Sequence, residues 1–156
     1  IKRAQKHGVI VIAAAGNPPA KSVVTPARYD EVIAVAACEV TGKPCAWSCH
    51  GPEVDITAPG ESVWRARTMR PDRYITARGH GTSYATTVVA GAAALWLAYH
   101  GRNLLLARYP GAQLPVKFRS LLKASAFIPP AHAAAWNRNE FGPGILNAEA
   151  LLNAPI

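Results

Sequence analysis

Acidic residues are scarce in this chain of 156 residues: nine aspartates and glutamates face seventeen lysines and arginines, for a formal net charge of +8. Only Asp30, Asp55 and Asp72 are aspartates, so chemistry that requires one has few places to find it. Charged residues of both signs make up 17%, against 50% hydrophobic, which excludes a disordered polyelectrolyte and supplies a core for one domain. No apolar run approaches bilayer length, which excludes a membrane-spanning helix. Cysteine is limited to Cys38, Cys45 and Cys49, and no C-x2-C pair occurs. The spacing disfavours a zinc site, because neighbouring Cys49 and His50 cannot easily reach one tetrahedral ion together. It allows a disulfide across a hairpin, Cys38 to Cys49, in an oxidising compartment, or three thiols in a reducing one. An initiator methionine and a leader-type n-region and h-region are also missing from the first residues. The opening Ile1-Lys2-Arg3-Ala4-Gln5-Lys6-His7 reads as the end of a helix entered in mid-element, so a fragment is expected.

The cations are mostly scattered. Their one dense set is Arg65, Arg67, Arg70, Arg73 and Arg78. A basic balance can attract nucleic acid or anionic surfaces, but this stretch has neither the zinc spacing nor the aromatic interleaving of a nucleic-acid module. It reads as a solvated arginine-rich loop, with no nucleic-acid partner expected.

Apolar periodicity divides the chain into alternating elements. Residues 1–7 end a helix closed by Gly8. Val9 to Ala14 is a continuous run without polar alternation, the pattern of a strand buried on both faces, and Asn17-Pro18-Pro19 opens a loop. Val32 to Ala37 is a second such strand. Val54 to Thr57 is a third, stopped by Ala58-Pro59-Gly60. A looser β region covers Ser62–Ala66 and Tyr74–Ala77. From Ser83 to His100 the period becomes helical and apolar nearly all round, which predicts a helix buried in the body of the domain. Shorter helices are expected over 116–126 and 147–153. Buried strands alternating with helices give an α/β fold with a mostly parallel sheet flanked by helices.

Two segments carry chemistry. Ala13-Ala14-Ala15-Gly16-Asn17 lies at the carboxyl end of a buried strand, where open α/β sheets place their ligand crevice. Its small residues leave room for a substrate backbone, and Asn17 presents an amide at the rim. Read purely as structure, Gly16-Asn17 is a turn pair. The second segment is Gly79-His80-Gly81-Thr82-Ser83-Tyr84-Ala85, at the start of the long helix. Serine there is ordinarily just a cap. The position also suits a nucleophile, because the orphan N–H groups and the helix dipole favour a developing negative charge.

Together these segments resemble the subtilisin-like serine proteases. Gly81-Thr82-Ser83-Tyr84-Ala85-Thr86-Thr87-Val88-Val89-Ala90-Gly91 is similar to that family's serine motif, commonly Gly-Thr-Ser-x-Ala-x-Pro-x-Val-Ala-Gly. Ala13 to Asn17 resembles its oxyanion-asparagine segment. Thr25-Pro26-Ala27-Arg28-Tyr29-Asp30-Glu31-Val32-Ile33-Ala34-Val35 resembles its Tyr-Pro-Ala-x-Tyr-x-x-Val-Ile-Ala-Val element. Asp55 to Gly60 matches another landmark, and Phe141-Gly142-Pro143-Gly144-Ile145-Leu146-Asn147-Ala148 resembles the closing Gly-x-Gly-x-x-Asn-Ala. The five occur in the family's order over residues 8–150.

The resemblance implies a partial subtilisin-like fold, the C-terminal portion of one peptidase domain across residues 1–156. It makes Ser83 the acyl-forming nucleophile of a serine endopeptidase, and the Asn17 side chain with the Ser83 N–H its oxyanion hole. Ala14, Ala15 and Gly16 would form one wall of the primary specificity pocket, and Gly81 and Thr82 would contact substrate. The related serine-carboxyl peptidases use an oxyanion aspartate, so Asn17 favours the subtilisin branch. Thr87 stands where proline is usual, and the Asn17–Pro26 loop is short.

The family's base and orienting acid lie upstream of the oxyanion segment, in Asp-[Ser/Thr]-Gly and His-Gly-Thr contexts. No aspartate here has such a context. His80-Gly81-Thr82 mimics the histidine motif, but it continues as the serine motif, so His80 is expected to be a loop residue beside the site. The chain alone is then expected to be inactive, its partners being a peptide or protein substrate and the N-terminal half of the same domain. The alternative is a non-catalytic pseudo-protease or peptide-binding fragment. Self-association through an exposed sheet edge is expected, and the family's habit implies a secreted or periplasmic location. No cofactor is required. A structural calcium or sodium ion is implied on the Ala27, Tyr29 and Val32 carbonyls with Glu53 and Asp55.

Overall fold

The computed structural model describes residues 1–156. In chain order it contains α1 (Lys2–Lys6), β1 (Ile12–Ala14), β2 (Ile33–Cys38), β3 (Val54–Pro59), β4 (Val63–Arg70), β5 (Arg73–Gly79), α2 (Thr82–His100), α3 (Arg102–Arg108), α4 (Gln113–Ala124), a 3-10 turn over Pro130–Ala135, α5 (Arg138–Phe141) and α6 (Ala148–Leu152). Strands β1, β2 and β3 form a parallel sheet in that order, and β4 and β5 form a separate antiparallel hairpin.

The central strand β2 is buried from end to end, as its unbroken Ile33-Ala34-Val35-Ala36-Ala37-Cys38 run predicts. Its alanines allow close approach on both faces. β1 departs from expectation. Regular pairing covers Ile12–Ala14, half-buried, in place of Val9–Ala14 buried on both faces. One further ladder bond flanks it on each side, the Ile33 N–H to the Val11 carbonyl and the Ala15 N–H to the Val35 carbonyl, both at 2.9 Å. The cause is position: β1 is the sheet's edge, and its far side pairs with nothing.

Helix α2 also differs from the sequence expectation in its burial. Ala85, Val89, Ala92, Ala93 and Trp96 pack into the main core, but Ala90, Gly91, Ala94, Leu95, Ala98 and Tyr99 are exposed. An apolar face thus lies open beside the free edge of β1. The other side of α2 meets α3, α4 and α6 through Trp96, Leu105, Leu114, Phe118, Leu122 and Leu151, all fully buried. Each such side chain stabilises the fold by about 1.5–3 kcal/mol. α4 begins three residues before the predicted 116–126 span, and Pro115 fits its first turn because an N–H there has no intrahelical partner to lose. Asn147 caps α6 by accepting the Ala150 N–H at 2.9 Å. The looser β region proves to be the regular β4–β5 hairpin.

Of the two arrangements that the cysteine spacing allows, the structure holds the three thiols, all free and buried. They sit in three different apolar clusters: Cys45 in the main core, Cys49 under the β1 end, and Cys38 with Trp136 and Ile145. Burial pushes the Cys38 and Cys45 thiols up to about 12, and that of Cys49 upward as well. No cluster of three or more His, Cys, Asp or Glu side chains is suited to a metal ion.

Candidate active site

The chain leaves β1 through Ala15 and Gly16 and delivers Asn17 to the carboxyl end of the sheet. Gly16 has φ +117°, and a Cβ there would lie 2.8 Å from the Cys49 sulfur and 2.9 Å from Val24, so glycine is required on both grounds. Residue 49 holds the segment from below. The Cys49 N–H donates to the Gly16 carbonyl at 2.7 Å, and its thiol to the Pro18 carbonyl at 2.7 Å, one on each side of Asn17.

Across from this segment, β5 ends at Gly79 and α2 starts at Thr82. The helix has no cap of its own. Its first N–H, from Thr82, donates instead to Asn17 Oδ1 at 2.8 Å, and the Thr82 hydroxyl donates to the same atom at 2.9 Å. The Thr82 hydroxyl also accepts the Gly16 N–H at 3.2 Å. A backbone N–H can only donate, so the atom that it meets must be the amide oxygen. The Asn17 Nδ2 donors therefore point away from Thr82. The Tyr84 N–H bonds to the Gly81 carbonyl, whereas the Ser83 N–H makes no backbone hydrogen bond. Ser83 itself is exposed. An exposed serine, a free N–H on the first turn of a 19-residue helix and a fixed amide are thus gathered at the start of α2.

Beside Asn17 lies a cleft of about 520 Å³ lined by Asn17, Trp47, Glu61 and His80. Trp47 and His80 stack obliquely, with ring centroids 5.9 Å apart. Trp47 and Glu61 have no sequence signal of their own, because the loop after β2 and the foot of the hairpin meet only in the fold. Ala14 is half-buried beside the segment. Ala15 is fully buried among Val23, Ala27 and Cys49, its N–H donating to the Val35 carbonyl and its carbonyl accepting the Val24 N–H, so it presents no free surface to a ligand. Gly81, with φ +150°, lies against the Asn17 amide.

No histidine is bonded to Ser83. His50 Nδ1 contacts the Ser48 carbonyl, His132 Nε2 contacts the Thr41 carbonyl, and His80 packs on Trp47.

The carboxylates near β3 do not assemble into the implied cation site. Asp55 is buried and bonded by Arg119 Nε and Nη2, both at 2.7 Å, and by Lys123 Nζ at 3.1 Å. It occupies a bulge in which β3 carries one residue more than β2, and its Oδ2 accepts the Ala34 N–H at 3.0 Å that the ladder leaves over. Two cations already neutralise this carboxylate, so it does not fit a metal ion. The Tyr29 carbonyl accepts the Val32 N–H. Glu53 is separate, and its Oε2 is buried without a hydrogen-bond partner, nearest to Gly51.

A parallel sheet ending beneath a serine at a helix N-terminus, with an asparagine amide opposite, is the framework of a subtilisin-like fold. The chain belongs to the subtilase family, whose model matches residues 1–148. It is 34% identical over 150 residues to Subtilisin BL of Lederbergia lenta, covering 96% of this chain and 48% of that protein. Against the Thermostable alkaline protease of Halalkalibacterium halodurans it is 43% identical over 95 residues, which is 61% of this chain and 25% of that one. Among solved structures, the patellamide maturation protease PatA matches with a TM-score of 0.76 and 31% identity, over 96% of this chain and 52% of that one. A protease from Pseudoalteromonas arctica matches with a TM-score of 0.79 and 26% identity, over 96% and 43%. The chain spans between a quarter and a half of the length of the curated relatives that it matches. No helix is long and apolar enough to cross a membrane.

Proposed function

We propose that this chain supplies the nucleophile and oxyanion hole of a subtilisin-like serine endopeptidase, acting on peptide or protein substrates. The observation that carries the reading is the Asn17 amide, locked through its oxygen onto Thr82, the residue before the exposed Ser83 with its free N–H, so that the amide nitrogen is left unbonded. Ser83 Oγ attacks the substrate carbonyl carbon and gives its proton to a general base. The carbonyl oxygen becomes an oxyanion held by Asn17 Nδ2 and the Ser83 N–H. The intermediate collapses as the C–N bond breaks and the base returns the proton to the leaving amine. Water then takes the amine's place, and hydrolysis of the ester frees Ser83. This chemistry needs no cofactor.

The base and its orienting acid belong to the rest of the domain, outside this chain. Three observations support this: no histidine reaches Ser83, Asp55 is committed to Arg119 and Lys123, and the chain covers half or less of its relatives' length. The complementing portion fits the open side of the fold. There the free edge of β1 borders an apolar groove lined by Val9, Ile10, Ile12, Ala90, Ala94 and Leu97. Left uncovered, the same edge leads the chain to associate with itself. In the absence of that portion the chain is a peptide-binding module without turnover. A secreted or periplasmic location suits the whole protein.

The test is hydrolysis of internally quenched peptides by the full-length protein that contains this chain. Activity is expected, and Ser83→Ala is expected to remove all but a residue of it. Undiminished activity in Ser83→Ala contradicts the proposal.

A further inference from the structure

We infer that the arginine hairpin β4–β5 selects substrates with acidic residues on the leaving-group side of the scissile bond. The inference rests on the protease reading above. The hairpin is part of the approach to the nucleophile, since β5 ends at Gly79, four residues before Ser83. Between Val63 and Gly79 it carries Arg65, Arg67, Arg70, Arg73 and Arg78, with Asp72 as its only acid. None of these arginines is in an ion pair. The salt bridges of the chain use Lys2, Lys21, Arg119 and Lys123.

The strand register sorts the guanidinium groups by face. Arg65 stands opposite Ala77 and Arg67 opposite Ile75, so both share a face with Ile75, Ala77 and Gly79. Those three are half-buried whereas Tyr74, Thr76 and Arg78 are exposed, so this face turns toward the body of the protein. Arg65 sits 5.7 Å from the centre of the Tyr84 ring, the residue after Ser83, and its Nε would lie 2.9 Å from a Cβ at Gly79. On the outer face Arg78 stacks over Trp64 at 4.7 Å. An aromatic plane under a guanidinium fixes its orientation and leaves its N–H edge free. That lowers the ordering cost of a bidentate contact with a carboxylate.

The path of the peptide decides which residues meet these groups. With the acyl side along Ala14–Gly16, the leaving side runs over the packed Trp47–His80 pair, toward the inner face of the hairpin. Glu61 lines the cleft with them and repels an acid placed next to the scissile bond. The preference therefore falls on the second and third residues beyond the bond. A peptide is favoured over nucleic acid because the inner-face arginines lie where the leaving chain must pass.

Internally quenched peptides with one acyl-side sequence and Asp-Asp, Ala-Ala or Lys-Lys at those two positions test this in the full-length protein. Asp-Asp is expected to exceed Lys-Lys about tenfold in kcat/KM at low ionic strength, with the gap closing at about 0.5 M salt. In Arg67→Glu the order is expected to invert, and in Arg65→Gln/Arg67→Gln the Asp-Asp to Ala-Ala ratio should fall to about one. Equal rates for the three peptides overturn the inference, as does a preference that survives both variants. So does a drop in Tm of these variants with an unchanged preference, or duplex DNA binding that they abolish while peptide selectivity stays. If no peptide is cleaved, the protease reading fails. Anisotropy of the same labelled peptides on Ser83→Ala protein then decides the hairpin's role, with tighter Asp-Asp binding lost in Arg67→Glu as the supporting result and equal binding as the contrary one.

Discussion

Both hydrogen bonds that reach the Asn17 side chain end on its oxygen, from the Thr82 N–H and the Thr82 hydroxyl. The side chain is thus oriented before any substrate arrives, with its two N–H donors unspent. A donor fixed in this way stabilises an oxyanion without reorganising at the moment of reaction, which is where most of its value lies. Asn17→Leu keeps the size and removes the donor. It is expected to lower kcat by about 100- to 1000-fold with little change in KM, because the lost bond forms in the transition state. Thr82→Val removes the hydroxyl but keeps the backbone donor, and is expected to cost about tenfold in kcat, as a positioning residue should. Steady-state kinetics with one peptide checks both. An equal loss in KM for either would assign these residues to ground-state binding instead.

Among the elements, β3 shows how one residue sets both register and stability. Asp55 is the extra residue of the β2–β3 bulge, and its carboxylate replaces a missing ladder acceptor for Ala34 while tying α4 to the sheet through Arg119 and Lys123. Asp55→Ala leaves that N–H without its acceptor and Arg119 without its partner, and is expected to lower unfolding stability by about 3–5 kcal/mol. Denaturant melts at neutral pH read this directly, and a loss below about 1 kcal/mol would mean the pair is no more than a surface ion pair. The sequence points to Asp55 only through the family resemblance, as part of a landmark motif and as an implied cation ligand, because Arg119 and Lys123 are more than sixty residues away. β2 was legible for the opposite reason: a strand buried on both faces writes its environment into an unbroken apolar run. α3 was not legible, since Leu105 is its only buried residue and Leu104 is exposed. Of the site, the local features could be read, namely Asn17 after a strand and Ser83 at a helix start. The features made by convergence could not, and these include Cys49 beneath Asn17, Trp47 beside His80, and Arg65 over Tyr84.

At the scale of the molecule, three buried thiols link stability to alkaline pH. An unfolded chain ionises its thiols near the ordinary value of 9, whereas the folded chain keeps Cys38 and Cys45 protonated up to about 12. Between those values the unfolded state holds fewer protons, so the stability present below pH 9 is lost as pH rises toward 12. Tm is expected to fall across that window, and to fall less in Cys38→Ala and Cys45→Ala. An identical slope in the variants would remove the thiols as the cause.

The fold as a whole presents Ser83 and the oriented Asn17 amide beside an open sheet edge and an apolar helix face. On the function proposed above, Ser83 is a nucleophile awaiting a base. The direct measurement is intact mass and peptide mapping after treatment with a fluorophosphonate probe, on the full-length protein and on this chain alone. The predicted result is a single adduct on Ser83 in the full-length protein, absent in Ser83→Ala and absent from the chain alone. An adduct that persists in Ser83→Ala, or a full-length protein that takes no label, would contradict it.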